Sequence, residues 1–409
     1  MGSTIRYDIT ILGAGPAGIT AAISLAKKGI PVLLIDKCSF PRQKICGDGL
    51  SGKVISNLNR LNPDYVAEIQ DSGLATNSHS ARFFSPNRKM IELSFQTGDT
   101  TMPAGFISQR FDFDNFLLHK ALEFNEVTFM DQINIEKFDR KDGALSLYDD
   151  KGNLITETRL LLFAAGSNRN LIRQLDPAYP DPEEGIGIRG YFDNVSGSDH
   201  KHAIEIHFFK ELLPWYFWIF PFSDGSANVG LALPETLARK SNKSLKELLY
   251  HIINTYPDIQ NRFKSADLRG KLEAARLAYY TGPVGIAGDN YILLGDAARL
   301  IDPFSGEGIG NALASGRFAA ETAMECINEN QFSFSKTAKY QQTVEAKLVP
   351  ELALSLRLQS LAKSRSLLNL VIGRASKNEK TRRLISAMLY DPEIKKKLSK
   401  PGFYMKILL

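Results

Sequence analysis

A chain of 409 residues with 44% hydrophobic and 23% charged side chains is ordinary for a globular protein and long enough for more than one domain. No apolar run reaches the ~18 residues of a spanning helix, and three cysteines (Cys38, Cys46 and Cys326) are too few for a disulfide framework. The net charge of +5 is unevenly placed: residues 331–409 hold 16 Lys/Arg against 5 Asp/Glu, a net of +11, so the rest of the chain carries −6.

The chain enters a strand almost at once, so no leader peptide is read and a cytoplasmic protein is expected. Residues 7–36 read as β-α-β. A strand runs to Leu12, a turn spans Gly13 to Gly18, and Ile19, Ala22, Ile23 and Ala26 recur at helical spacing. Gly29 ends that helix, and residues 32–35 form a second strand closing on Asp36. Residues 104–125 are predicted to turn helical from about Asp112. Strands are predicted at 127–130 and 144–148, with Asp142-Gly143 as a hairpin turn, and at 160–164. From 185 to 233 short alternating strands dominate, among them 202–209 and 216–220, with a turn at Ser223-Asp224-Gly225. Residues 244–264 are predicted helical, 291–294 as a strand, and 331–409 as mostly helical and basic.

The fold class is therefore α/β with α+β elements. A Rossmann-type dinucleotide-binding domain is expected over 1–75, 101–180 and 281–330. An antiparallel-sheet substrate domain is inserted over 76–100 and 181–280, and a helical region follows over 331–409. That basic region is either a solvated helix face or a contact for an anionic membrane surface. With no base-reading motif present, nucleic acid is not expected as a partner.

Two Gly-rich turns far apart in the chain carry the chemistry. In Gly13-Ala14-Gly15-Pro16-Ala17-Gly18, Gly13 permits the turn, Gly15 lets backbone approach a pyrophosphate, and Gly18 lets helix and strand pack closely. The helix N-terminus adds N–H donors, Asp36 is placed for a ribose hydroxyl, and Lys37 follows it. In the second turn Asp296 is placed for a ribityl hydroxyl. Pro303, Gly306, Gly308 and Gly310 keep side chains away from a flat ring. A helix entered through Gly308 and Ile309 points its positive end at that ring, which favours an anionic reduced flavin. One fingerprint suits many nucleotides; the pair supports both ends of FAD. Arg110, just before a helix, is either a partner for the cofactor phosphates or an ordinary surface arginine. Gly166, after an apolar strand, suits a close approach on the adenosine side.

Two further segments lie outside these turns. Pro41 to Leu50 holds Lys44, Cys46 and Gly47, and Lys44 is placed to lower the Cys46 thiol pKa. In an extended strand Tyr216, Trp218 and Phe220 face one side, ahead of Pro221. They form plain core or the wall of an apolar cavity. His200, His202 and His207 are expected to face solvent, and no metal site is read from them or from the cysteines.

On these four segments the chain resembles the geranylgeranyl reductase family of flavoproteins, whose fold is that of the para-hydroxybenzoate hydroxylase group. The resemblance covers about residues 5–330. Pro41, Lys44, Cys46 and Gly47 match its cysteine segment, which implies a catalytic place for Cys46 and Gly47 near the isoalloxazine. Tyr216, Trp218, Phe220 and Pro221 match its Y-x-W-x-F-P pattern, which implies a prenyl-chain wall. Asp36, Arg110 and Asp296 match its FAD contacts. Ala232 stands where the family often has glycine.

The resemblance implies an FAD-dependent reductase of carbon–carbon double bonds in a prenyl or other long apolar lipid chain. With such a substrate the basic C-terminal part docks on anionic lipid head groups, peripheral on the inner face of the membrane, or receives the substrate's phosphate. No second dinucleotide fingerprint is seen, so the electron donor is NAD(P)H or a ferredoxin-like carrier. The alternative is a flavin monooxygenase acting on an aromatic or apolar substrate. Flavin-dependent halogenases also resemble the chain but carry W-x-W-x-I-P. A flavin- or lipid-binding protein without turnover is a third reading.

Overall fold

The computed structural model describes residues 6–94, 105–181 and 183–390. The unbroken apolar runs become the centre of a parallel sheet, where strands are covered on both faces. The strand Arg6–Leu12 lies between Leu154–Phe163 and Val32–Ile35 and runs parallel to both. Val127–Met130 continues the sheet on one side and Tyr291–Leu293 on the other, also in parallel. Ile135–Lys141 and Ala144–Asp149 form an antiparallel ribbon, joined by the expected turn, with φ 50° at Asp142 and 74° at Gly143.

The helix Pro16–Ala26 is buried nearly all round, as expected when one layer covers it and it covers another. The long helix Ile309–Asn328 packs over it. Gly316 makes this stacking possible, because a Cβ there would stand 2.2 Å from the carbonyl oxygen of Ala17. Gly18 lets the first helix lie close to its own turn and strand, where a Cβ would stand 2.0 Å from the carbonyl oxygen of Gly13.

A second sheet has seven strands in the order Asp267–Ala278, Glu184–Asp193, Ala227–Pro234, Phe217–Pro221, Ile204–His207, Ser80–Phe84 and Met90–Ser94. All neighbours are antiparallel except Ser80–Phe84 with Ile204–His207. Strand alternation gives the sheet two characters. Its outer face (Ile188, Phe217, Ile219, Val229, Leu231) packs on the helix Leu245–Thr255 through Leu249 and Ile252. Its inner face faces a cavity. A small third sheet pairs Gly105–Ile107 with Gly49-Leu50 and Thr76–Ser78, and so fastens the cysteine segment.

Local differences from the sequence reading have simple causes. The helix expected from about Asp112 begins at Arg110. The predicted 244–264 helix stops at Thr255, because Pro257 removes the next backbone donor and starts a short helix of its own. The basic region holds the helices Phe334–Lys347, Val349–Ala362, Arg365–Ala375 and Glu379–Tyr390; residues 391–409 lie outside the described residues.

His207 corrects an expectation. It does not face solvent but is 1% exposed on the outer sheet face. Its ring stacks on Phe84 at 4.1 Å, with Nδ1 2.8 Å from Arg88 and Nε2 3.2 Å from Glu205. The sequence alternation had the right period, but Phe84 and Arg88 cover the ring on that face. Burial pulls the His207 pKa down to about 4, with Glu205 opposing and Arg88 and Arg262 assisting. The folded pKa lies below the unfolded value near 6.5, so the unfolded chain takes the proton first. The stability that neutral His207 permits is full above pH ~6.5 and falls away toward pH ~4, by up to about 3 kcal/mol. Asp48, described below, has an opposite shift in an overlapping window. The comparison that isolates His207 is therefore urea unfolding of native and His207→Gln chains at pH 7 and pH 5. The acid-side loss should be larger for the native chain.

Candidate functional site

One cavity of about 1900 Å³ runs between the two large sheets and the C-terminal helices. Its first end is built by the parallel sheet. The helix Pro16–Ala26 starts with Gly15 as N-cap in extended conformation, with Pro16 in the first turn and no side chain capping it. Its N–H groups therefore remain free for an anion. Gly15 lines the cavity, and a Cβ added there would meet only Arg42, at 3.7 Å. Asp36, 7% exposed, accepts from Ala14 N–H at 2.7 Å and Cys38 N–H at 2.9 Å. Each oxygen keeps lone-pair capacity for a further donor. Ala17, Lys37, Lys44 and Gly166 also line the cavity, with Lys37 and Lys44 exposed.

Arg110 is 7% exposed, which excludes the ordinary surface arginine. Its guanidinium is held by Asp114 through two bonds of 2.6 Å. Asp114 also pairs with Arg42 at 3.3 Å. Arg42, which the sequence did not single out, is the cation beside Gly15. The signal was weak, because a lone arginine after a proline in a loop has no period to place it.

The second Gly-rich turn closes the other side. Asp296 sits in the 3₁₀ turn Gly295–Ala298 after the strand Tyr291–Leu293 and lines the cavity, as do Gly306, Gly308 and Ile309. The helix Ile309–Asn328 begins there with Gly308 as N-cap, but its N-terminus is not bare. The Glu307 carboxylate accepts from Gly310 N–H at 2.6 Å. Burial raises the Glu307 pKa and Lys53 opposes it. A carboxylate already offsets the positive end that the sequence alone assigned to a ring. Pro303, expected as a contact, does not line the cavity. Its carbonyl is turned into the wall, accepting from Trp215 Nε1 at 2.7 Å and Gln359 Nε2 at 2.8 Å. Gly18 also lies off the cavity, in its packing role.

Cys46, Gly47 and Asp48 sit where the two sheets meet. Gly47 lies against Trp218 and Phe220, so that a Cβ there would stand 3.3 Å from Phe220. Asn228 ties the pieces together. It donates 2.8 Å bonds from Nδ2 to the Cys46 carbonyl and to Asp48 Oδ2, and accepts from Trp218 Nε1 at 2.9 Å. Tyr191 OH donates to the same Asp48 oxygen at 2.7 Å, and Asp48 N–H donates to Cys46 Sγ at 3.3 Å.

Asp48 is the residue that sequence reasoning missed. It is 0% exposed, lines the cavity, has no partner on Oδ1 and holds φ at 66°. A non-glycine residue in that conformation costs about 1–3 kcal/mol and is kept only where the surroundings enforce it. Burial lifts its pKa to about 6, against the hydrogen bonds of Tyr191 and Asn228 and the charges of Arg189 and Arg110. The available signal was Arg189 and Tyr191 in an otherwise apolar strand: a buried arginine asks for a buried acid. The Cys46 expectation reverses. Burial raises its thiol pKa, Arg110 only opposes this, and Lys44 is turned to solvent. Cys46 therefore stays a protonated thiol.

From this junction the inner face of the seven-stranded sheet runs away apolar. Trp218 and Phe220 are followed on the next strands by Ile206 and Phe208, then Ala81 and Phe83, then Ile91 and Leu93. Ala232 also lines it, a methyl where the resemblance expects glycine. Tyr216, Trp218 and Phe220 line the cavity, while Pro221 does not, because it falls on the outer face with Phe217 and Ile219. The hydroxyl of Tyr216 donates to the Ser305 carbonyl, joining this wall to the second Gly-rich turn.

Comparison with known proteins agrees with this geometry. Residues 6–62 match the family described as FAD binding domain. The chain is 28% identical over 324 residues to a menaquinone reductase of Mycolicibacterium smegmatis, covering 77% of this chain and 76% of that one. It is 27% identical over 348 residues to a digeranylgeranylglycerophospholipid reductase of Thermoplasma volcanium, covering 83% of each. Its fold is that of a geranylgeranyl bacteriochlorophyll reductase-like protein from Thermoplasma acidophilum, with a TM-score of 0.80 and 22% identity over 97% of this chain and 99% of that chain. The chain is an FAD-dependent oxidoreductase, similar in sequence and fold to the geranylgeranyl reductases.

Proposed function

We propose that this chain saturates carbon–carbon double bonds of a prenyl or similar long apolar lipid chain. The observation that carries the reading is the continuity of the cavity. It leads from the dinucleotide cradle, past Cys46 and Gly47, along an unbroken apolar sheet face. At about 4.8 Å per strand, the three steps from Phe217–Pro221 to Met90–Ser94 give a groove of roughly 14 Å. That suits a chain better than a compact aromatic substrate.

In this reading the N–H groups of Gly15 and of the first turn of Pro16–Ala26, with Arg42, hold the pyrophosphate. Asp36 takes the ribose, Asp296 the ribityl chain, and the backbone from Gly306 to Ile309 the ring. Lys37, Lys44, Gly166 and Arg110 complete the cofactor contacts. Bound FAD in its reduced form supplies the hydride. The protein holds one alkene carbon against the ring through Trp218 and Phe220 and keeps water out, which such a poor hydride acceptor needs. The proton for the other carbon comes from the Cys46 thiol. Asp48, with a pKa of about 6 beside it, returns a proton to the sulfur, and Tyr191 and Asn228 fix the carboxyl. One hydride and one proton add across the double bond, and no oxygen is consumed. Electrons reach the flavin from NAD(P)H or a ferredoxin-like carrier.

The test is to reduce the purified flavoprotein chemically, add geranylgeranyl diphosphate or its phospholipid ether, and weigh the products with and without air. Products heavier by pairs of hydrogen atoms without air are expected. A gain of one oxygen atom that needs air would move the protein to the monooxygenases. Similarity to a menaquinone reductase makes a prenylated quinone the next substrate to try. Halogenases share the fold, but Tyr216 and Phe220 stand where they carry Trp and Ile.

A further inference from the structure

We infer that the turn between the helices Val349–Ala362 and Arg365–Ala375 is a membrane-docking tip. It sets the open end of the cavity against an anionic bilayer, so that the substrate chain enters from the lipid phase. The nature of that substrate rests on the reading above; the docking surface is read from the residues themselves.

Leu354, Arg357, Leu358 and Leu361 recur at i, i+3, i+4 and i+7 and share one helix face. The three leucines line the cavity, and Leu361 is 40% exposed. Of the large apolar side chains that stand in solvent among the described residues, Leu361 is the one that also lines the cavity. The next helix repeats the pattern: Leu367, Leu368 and Val371 line the cavity while Leu370 is 51% exposed. The cavity therefore has a rim here, and the rim is apolar.

The charge around the rim is one-sided. Residues 352–378 contain Arg357, Lys363, Arg365, Arg374 and Lys377 and no aspartate or glutamate. Arg357, Lys363 and Arg365 are exposed, and among the described residues none of the three is in a salt bridge. A merely solvated basic face has no reason to place leucines at a cavity mouth. Leucines flanked by exposed cations are what an interfacial helix presents to lipid. The apolar side chains sink below the head groups while Lys and Arg stay among the phosphates. No helix among the described residues is long and apolar enough to cross a membrane, so contact would be at the surface.

The experiment is sedimentation of the FAD-loaded full chain with vesicles of phosphatidylcholine alone or mixed with phosphatidylglycerol. The native protein should bind the mixed vesicles more tightly. A Lys363→Glu/Arg365→Glu chain should lose at least about 25-fold of that binding, taking about fivefold per cation removed. Leu361→Ser should weaken binding to both vesicle types. Neither Lys363 nor Arg365 lines the cavity. The charge-reversed chain should therefore keep native turnover of soluble geranyl diphosphate and lose turnover of a prenyl phospholipid presented in vesicles. Equal binding of the native chain to both vesicle types, or undiminished binding by the charge-reversed chain, overturns the docking tip. If the native chain reduces neither lipid, the substrate reading fails while the sedimentation result still decides the docking surface.

Discussion

An Asp48→Asn chain should reduce its alkene substrate about 10²–10⁴-fold more slowly, the range that a positioned proton donor contributes, with FAD bound at the native level. The measurement is the anaerobic steady-state rate with the flavin kept reduced, across pH, because Asp48 acts by returning a proton to the Cys46 sulfur between turnovers. Burial raises Asp48 to about 6, so roughly a tenth of it is protonated at pH 7. The native rate should therefore fall about tenfold per pH unit above 6, and the variant should lack that inflection. Stability should move the other way. A carboxyl whose folded pKa is raised favours the fold below its unfolded pKa, near 3.8, and loses that contribution as pH rises through 6. At pH 7 the buried charge works against the fold by about 2–3 kcal/mol. Asparagine can still accept from Tyr191 and Asn228, so the variant should be the more stable protein. A slower but more stable enzyme marks a residue kept for chemistry. Equal rates and an unchanged pH profile would reduce Asp48 to a scaffold for the cysteine segment.

What the sequence made legible follows from local physics. Residues 9–12, 32–35 and 160–163 read as central strands because no charged residue interrupts them. The spacing of Gly13 and Gly18 told of a turn and a packing contact. Alternation placed Tyr216, Trp218 and Phe220 on one face, and the same alternation, applied one residue further, would have excluded Pro221 from the cavity. The unread part depended on which element covers which face. His207 was read as exposed because the groups that cover it, Phe84 and Arg88, come from about 120 residues upstream. Asp48 lay inside a segment already singled out, but its burial comes from Asn228 and Tyr191, far along the chain. Cys46 was given a lowered pKa from its neighbour in sequence, whereas its surroundings in space raise it. In each case the side chain was legible and its environment was not.

A Gly13→Ala chain should lose both FAD and stability, while Gly15→Ala should lose FAD alone. The two glycines sit two residues apart in one motif, yet the structure gives them different reasons. Gly13 has φ +108°, and a Cβ there would stand 2.4 Å from the carbonyl oxygen of Ala164 and 2.8 Å from the nitrogen of Ala165. Both are backbone atoms at the end of the central strand pairing, where Ala164 N–H donates to the Leu12 carbonyl at 2.7 Å. Neither can turn aside as a side chain would. Backbone strain of about 1–3 kcal/mol and overpacking of a similar size sum to about 2–6 kcal/mol against the fold. Relief by shifting the turn would drag Gly15 and the first turn of Pro16–Ala26 off the pyrophosphate. At Gly15 the same methyl meets only the flexible end of Arg42, so the apo fold should stand. It would, however, occupy the space through which the backbone is proposed to reach the FAD phosphates. Flavin absorbance of the purified proteins and urea unfolding of the apo forms separate the cases. Equal unfolding midpoints for the two apo variants would show that the Ala164 contact yields more easily than its backbone geometry implies.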